Sequence, residues 1–402
     1  MRLLIILAIA TAYTTNSRAA SVSFYKDVLP ILERRCQSCH RPGEIGPMPL
    51  LTYTEVRPWA AAIREAVLLR KMPPWFANPR YGKFANDTSL RPEEIETVNR
   101  WVAAGAPAGL SRDAPPPLQW NGLWNIARPD LVLAAPEPFV VKARATVDYQ
   151  YVILSPNLTA DRWAEAVEIR PSDRSVVHHA VLYVRERGDA WVGAGQTKSD
   201  ILAIYTPGGA PATWGPGMAK LIPAGSDLVL QVHYTSKATT ARNRMTVGIR
   251  FLRGAPARRV LTLQMGNDHL EIPPGERDYR VRVSGTLPRD ALLVGLFPHM
   301  HLRGGEFEYQ IAGSNGRVET LLDVKPYDFY WQTTYKLAEP KLLPAGTRLI
   351  WTAHYDNSPN NPRNPDPSAE VTWGEQSWEE MMIGFFDVAV DPNIDKRKFF
   401  IR

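Results

Sequence analysis

The sequence has few cysteines for its length: its 402 residues include only Cys36 and Cys39, three positions apart. Two thiols this close cannot brace distant parts of a chain, so a scaffold held together by disulfides is excluded. Long apolar runs and blocks of like charge are also missing, and 47 basic residues stand against 41 acidic ones, a net charge of +6. We therefore expect no integral membrane span and no nucleic-acid partner.

Proline and glycine, in contrast, are plentiful, with 35 and 27 residues. This composition favours short strands joined by turns over long helices. A chain of 402 residues exceeds what one compact core usually supports, which predicts two or three domains. We expect a multidomain protein that is β-rich beyond its first quarter.

The first 20 residues have the features of a cleavable export signal. Arg2 gives a charged start, an apolar run extends from Leu3 to Ala12, and small residues follow at Ala19 and Ala20. The run is shorter than a bilayer-spanning helix requires. We therefore expect a periplasmic or secreted mature protein, with an uncleaved anchor as the alternative.

The two cysteines belong to the motif Cys36-Gln-Ser-Cys39-His40. In the pattern C-x-x-C-H, two thiols bond the vinyl groups of a porphyrin, and the histidine ligates its iron from the same turn. A redox dithiol or half of a zinc site is the alternative. However, zinc would need a second pair of ligands and a dithiol would not need His40. The motif predicts one covalently bound haem c.

Apolar residues at helical spacing flank this motif, from Phe24 to Arg35 and from Arg91 to Ala103. Two helices packed across a haem predict a small all-α cytochrome c domain over residues 21–108. Residues 109–127 include three consecutive prolines and lack apolar periodicity, which indicates a Pro-rich linker.

The opposite face of the iron needs a second ligand, and a methionine thioether suits electron transfer. Met72 and Met48 are the candidates. Met72 is favoured because Pro73 and Pro74 stiffen the chain after it and could hold the sulfur at the iron. The arrangement resembles the distal segment of class I cytochromes c.

The remainder of the chain contains an internal repeat. The segment from Leu221 to Tyr234 reappears from Leu342 to Tyr355 at an offset of 121 residues, and the same offset carries His178 onto His299. Two histidines matching at one offset, in a chain with eight, argue for two homologous β domains. We place these domains at residues 128–272 and 273–402.

Five histidines in these domains stand in β-strand patterns: His178, His179, His233, His299 and His301. Residues two apart on a strand point to the same face, so the rings of His299 and His301 can converge on one ion. Imidazole suits copper, zinc, iron and nickel, and a nearby thioether would favour copper. The pattern therefore predicts metal binding without fixing the metal.

Together these residues resemble the copper type II, ascorbate-dependent monooxygenases, which include the peptidylglycine alpha-hydroxylating and dopamine beta-monooxygenases. The resemblance covers roughly residues 128–402. It implies two jelly-roll β-sandwich domains that face each other across a solvent-filled cleft, each holding one copper. It assigns the first copper to His178, His179 and His233, and the second, which binds oxygen, to the catalytic set His299, His301 and Met381.

The resemblance implies an exported haem- and copper-dependent monooxygenase that hydroxylates a small organic substrate with O₂. An external electron donor would reduce the haem, which would relay electrons to the two coppers. An electron-transfer or copper-binding protein without hydroxylase activity is the first alternative. A carbohydrate-binding or adhesive protein fused to a cytochrome is the second, and it predicts no copper.

The sequence departs from the family at several positions. Disulfides are absent from the β domains, and His354 is the repeat counterpart of His233, so His354 could join or replace Met381 at the second copper. Met382 could also substitute for Met381, although alternation along a strand points the two to opposite faces. The residues from Ile383 to Phe386 are apolar or glycine. A peptide carboxylate is therefore not the expected ligand of that segment.

Overall fold

The computed structural model describes residues 22–120, 124–188, 200–313, 316–399 and 401. The predicted export signal at residues 1–20 lies outside these residues. The protein is mostly β, with 39% strand and 14% helix. Over the described part of the chain, none of the helices has both the length and the apolar character that a membrane crossing requires.

The α-helices all precede the first strand. Their bounds are α1 Leu29–Arg35, α2 Tyr53–Val56, α3 Ala60–Leu68 and α4 Pro92–Ala103, and a π-helical turn, Phe24–Val28, leads into α1. The helices pack around a small core that contains Phe24, Leu32 and Trp101. Pro92 at the start of α4 and the Glu94 carboxylate, which accepts the backbone N–H of Arg91 at 2.9 Å, fix where that helix begins.

The described residues then form 21 strands, most of which belong to two sandwiches. The strands of the first part are β1 Leu131–Ala134, β2 Phe139–Val141, β3 Gln150–Leu154, β4 Arg162–Pro171, β5 Val177–Arg185, β6 Asp200–Tyr205, β7 Ala212–Thr213, β8 Met218–Ile222, β9 Asp227–Tyr234, β10 Ala241–Asn243 and β11 Met245–Phe251. Those of the second are β12 Arg258–Asn267, β13 Glu271–Ile272, β14 Tyr279–Thr286, β15 Ala291–His299, β16 Gly304–Ala312, β17 Val318–Val324, β18 Tyr335–Leu343, β19 Arg348–Tyr355, β20 Val371–Thr372 and β21 Met382–Val390.

In the first sandwich, the sheet β3-β9-β5-β6 packs against β1-β11-β4-β8 around one apolar core. In the second, the sheet β14-β19-β16-β17 packs against β12-β21-β15-β18 around another. Apolar side chains alternate inward from both layers, as expected for antiparallel sandwiches. The jelly-roll connectivity stays a prediction.

The two sandwiches share one continuous sheet of nine strands. Strands β8 and β12 are parallel neighbours, with Arg258 opposite Met218 and Arg259 opposite Ala219. Strand β12 then pairs along its length with β21, so it belongs to the sheet of the second sandwich although it precedes residue 273.

An apolar group fills the contact between the sandwiches next to this shared sheet. Val181, Tyr183 and Val229 from the first sandwich pack with Phe297 and Phe385 from the second. The expectation of two domains facing each other across a solvent-filled cleft is therefore wrong for this structure. Burying these apolar side chains and pairing β8 with β12 both favour the closed arrangement.

The helical part contacts both sandwiches. The segment between α3 and α4 pairs with the second sandwich, with Ala77 opposite Val324 and Phe84 opposite Leu337. Towards the first sandwich, Glu44 forms ion pairs with Arg170 and Arg174. These contacts fix the cysteine-containing turn against the β part of the protein.

Candidate metal centre

The first predicted donor set comes together on two neighbouring strands. His178 and His179 lie at the start of β5, and His233 lies near the end of β9, directly opposite His179. The pairing register shifts between Val177 and His179. Such a bulge allows adjacent residues to face the same side, which a regular strand does not. One ligand nitrogen from each of the three buried histidines lies within 4.8 Å of the other two.

Hydrogen bonds indicate which nitrogens are left to bind a metal. His178 Nε2 donates to the carbonyl oxygen of Phe329 at 3.0 Å, which leaves His178 Nδ1, 2.9 Å from His179 Nδ1. His179 Nε2 lies 3.3 Å from the hydroxyl of Tyr149. His233 Nδ1 is buried without a hydrogen-bond partner among the described residues. The Nδ1 atoms of the three histidines are thus the candidate donors.

In the second donor set, hydrogen bonds hold the Nδ1 atoms, so the Nε2 atoms are the candidate donors. Gln332 Nε2 donates to a carbonyl oxygen, so its Oε1 faces His299 and accepts the Nδ1 proton at 2.8 Å. His301 Nδ1 donates to the carbonyl oxygen of Glu379 at 3.2 Å. His301 Nε2 is buried and unpartnered within the described parts of the chain. Fixing one ring nitrogen in this way aims the other at a metal.

Met381, the third predicted member of the second set, lies beside His299. Its side chain is 5% exposed and lines a cavity of about 40 Å³ together with His179 and His299. Met382, the next residue, packs into the core of the second sandwich instead. The two methionines therefore face opposite sides of the chain.

The two donor sets form one buried cluster. The ring centroids of His179 and His299 are 5.4 Å apart, about as close as those of His299 and His301 at 5.2 Å. The expectation of two sites on opposite walls of a cleft is therefore wrong for this structure. The closed contact between the sandwiches brings the sets together.

Burial keeps these imidazoles neutral. Together with neighbouring histidines, it lowers the pKa of His178 to about 3 and that of His233 to about 4. It likewise holds the pKa values of His179, His299 and His301 below the usual range. Metal ligation requires neutral imidazole, so the electrostatics and the unpartnered nitrogens both fit a metal.

Glu380 holds the second set in place, a role that the sequence did not reveal. Its side chain is fully buried, and its carboxylate accepts backbone N–H groups from His301 at 2.8 Å, Arg303 at 2.6 Å and Met381 at 3.2 Å. Burial raises its pKa to about 7, because it outweighs the opposing effect of these N–H groups and of the charge of Arg303. One carboxylate thus ties the strand end that carries His301 to the residue before Met381.

His354 lies outside the cluster. Its Nδ1 is 2.7 Å from a carboxylate oxygen of Asp278, and its ring makes no contact with the five clustered rings in the described residues. His354 is therefore the repeat counterpart of His233, but its side chain does not join the candidate metal centre.

Hydrogen bonding orients His40 in the cysteine-containing turn. His40 Nδ1 donates to the carbonyl oxygen of Met48 at 3.1 Å, which leaves Nε2 available as a ligand. A Cβ on Gly46 would lie 2.7 Å from His40 Nδ1, so glycine makes room for the ring. Burial raises the pKa of Cys36 to about 12 and also raises that of Cys39.

A cavity of about 370 Å³ lies beside Cys39 and is lined by all three parts of the protein, including Pro73, Pro74 and Trp75. Met72 precedes these residues and is half-buried, whereas the Met48 side chain packs against the helical core. The choice between Met72 and Met48 as the second ligand of an iron held by His40 stays a prediction.

No protein-family model matches the chain, and no curated protein sequence matches it. Similar solved structures include PNGF-II, with 10% identity and a TM-score of 0.29 over 65% of this chain and 66% of that one, just under two thirds of its length. The major capsid protein P2 of bacteriophage PM2 has 9% identity and a TM-score of 0.29, over 65% of this chain and 98% of that one. The VP2 subviral particle protein of infectious bursal disease virus has 8% identity and a TM-score of 0.21, over 66% and 73%. These likenesses support no inference about function.

Proposed function

We propose that the protein is a copper-dependent oxidoreductase that hydroxylates a small organic substrate with O₂, similar to the copper type II, ascorbate-dependent monooxygenases. The observation that carries the proposal is the convergence of His178, His179 and His233 with His299 and His301 in one buried cluster, with Met381 beside it. Five imidazoles and a thioether are a donor set that suits copper. Copper held there would supply one-electron redox chemistry towards O₂.

The residues of the chain perform three tasks in this proposal. The carbonyl oxygens of Phe329 and Glu379 and the amide of Gln332 orient the imidazoles by accepting one proton from each ring. The small cavity beside His179 and His299 limits the water that reaches the donors. Its walls include the phenols of Tyr149 and Tyr183 and the Glu375 carboxyl. Burial raises the pKa of Glu375, so this carboxyl can hold a proton next to the cluster.

We further propose that residues 21–108 form a small cytochrome c domain. Cys36 and Cys39 would attach the porphyrin, and His40 and Met72 would ligate the iron. A haem bound there would supply a one-electron carrier. Gly208 lies between Cys39 and Trp331, since a Cβ added to it would be 3.4 Å from Cys39 Sγ and 3.4 Å from the Trp331 ring. This placement supports a role next to the cluster, because Trp331 belongs to the short turn that also supplies Phe329 and Gln332.

Elemental analysis of the purified full-length protein tests the metal content. We expect about two coppers and about one iron per chain. His233→Ala and His301→Ala should each lower the copper content, because each removes a donor of one set. His354→Ala is the matched control and should leave copper unchanged, since His354 bonds Asp278 away from the cluster. Equal copper loss in all three variants, or copper-free protein after reconstitution, would exclude the copper centre.

Oxygen consumption then separates an enzyme from an electron-transfer protein. With reductant present, the copper-loaded protein should consume O₂ faster when a hydroxylatable substrate is added, and His301→Ala should abolish that increase. Copper and haem binding without substrate-dependent oxygen uptake over a broad panel would leave an electron-transfer or copper-binding protein.

A further inference from the structure

A third cavity lies over the centre of the shared nine-stranded sheet. Its volume is about 410 Å³, within the range of small-molecule sites, and both sandwiches line it. Four of its residues form a row across neighbouring strands, with Thr262 opposite Asp387, Asp387 opposite Gly295, and Gly295 opposite Lys336. Because Gly295 has no side chain, the space above the sheet between Asp387 and Lys336 is left unfilled.

The charges in this cavity do not balance. Lys220 Nζ lies 3.5 Å from the Asp387 carboxylate and donates to Thr262 Oγ1 at 2.6 Å, so one lysine and the aspartate compensate each other. Lys336 Nζ donates to the carbonyl oxygen of Pro211 at 2.6 Å and to a threonine hydroxyl. Among the described residues it has no ion-pair partner within 4.0 Å. A half-buried ammonium without a counter-charge is costly to maintain, and an anionic ligand would remove that cost.

The rest of the cavity is largely apolar and adjoins the metal centre. Ile204, Phe297 and Phe385 line both this cavity and the small cavity that contains His179 and His299. A ligand with its charged end at Lys336 could therefore place its apolar part against the side chains that separate this cavity from the histidine cluster.

We propose that this cavity binds a small organic monocarboxylate, with the carboxylate at Lys336 and the apolar body against Phe297 and Phe385. The binding site stands on its own geometry. Its role as the substrate site rests on the proposed function, because only the adjoining cluster makes the ligand a substrate.

Calorimetric titration of the full-length protein with octanoate, octanamide and octylamine tests the proposal. Octanoate should bind about 10- to 100-fold more tightly than octanamide, because a charge-assisted hydrogen bond to Lys336 is replaced by a neutral one. Octylamine should not bind measurably. Lys336→Met should reduce octanoate affinity to that of octanamide. Lys341→Met is the matched control on the same strand, since Lys341 pairs with Glu319 outside the cavity, and it should leave affinity unchanged.

A second pair of variants tests the cavity independently of charge. Gly295→Leu should fill the space and abolish binding of both octanoate and octanamide. Gly295→Ala should retain it, because a Cβ there would meet Tyr335 O, Thr334 Cγ2 and Asp387 Cβ at ordinary contact distances of 3.7–3.9 Å.

Equal affinity for octanoate and octanamide, or an unchanged octanoate affinity in Lys336→Met, would overturn the assignment. Octanoate binding to a protein that takes up no copper would sustain the site and refute the proposed function. Copper uptake without octanoate binding would refute the carboxylate site and leave the proposed function standing.

Discussion

The fully buried Glu380 carboxylate gives the sharpest test of how the second donor set is held. Glu380→Gln replaces two acceptor oxygens with one, so at least one of the N–H groups of His301, Arg303 and Met381 must face an amide N–H. Losing a charge-assisted hydrogen bond and leaving a buried donor unpaired each cost about 1.5–3 kcal/mol. The Arg303 guanidinium, 2% exposed, also loses its neighbouring charge. Above about pH 7, where the carboxylate is ionised, we expect a loss of about 3–5 kcal/mol.

Differential scanning calorimetry should show this as a fall in Tm on the order of 10 °C for the transition of the second sandwich. Glu379→Gln is the matched control, because the Glu379 side chain is only partly buried and accepts a single backbone N–H, from Gln376 at 2.9 Å. That change should alter stability by no more than about 0.5 kcal/mol. A Glu380→Gln protein as stable as the Glu379→Gln protein would refute the reasoning.

Three further changes probe the other contacts. Gln332→Leu removes the acceptor for His299 Nδ1, so copper affinity should fall by about 10- to 100-fold in competition with a Cu(I) chelator; an unchanged affinity would mean that Gln332 does not orient the ring. Gly46→Ala places a Cβ 2.7 Å from His40 Nδ1, and the haem-to-protein ratio should drop, whereas full haem incorporation would contradict the proposed role of His40. Burial lowers the pKa of Lys336 to about 8, so octanoate should bind below that pH, where the ammonium is charged, and lose affinity above it. Calorimetry on both sides of pH 8 measures this, and Lys336→Met should show no such dependence.

The residues of the candidate metal centre could be selected from the sequence because their patterns are local or repeated. An adjacent pair such as His178-His179, an H-x-H motif and a repeat at a fixed offset are visible without any knowledge of the fold. The closeness of the two sets was not visible, since it depends on the pairing of β8 with β12 and on the contact of Phe297 and Phe385 with the first sandwich. Strand pairs and domain contacts between distant segments leave no periodic signal in the chain.

The turn that carries Phe329 and Gln332 shows why the closed arrangement and the chemistry of the donors depend on each other. The Phe329 carbonyl oxygen accepts both from His178 Nε2 in the first sandwich and from Gln332 Nε2 in the second, while Gln332 Oε1 accepts from His299 Nδ1. The Phe329 ring also stacks on His178 at 4.0 Å. Separating the sandwiches would therefore remove the acceptor that selects the Nδ1 lone pair of His178. A backbone carbonyl has no sequence signature, so this coupling could be recognised only from the structure. It implies that a metal bound to Nδ1 of His178 stabilises the contact between the sandwiches, because binding there favours the conformation in which that acceptor is present.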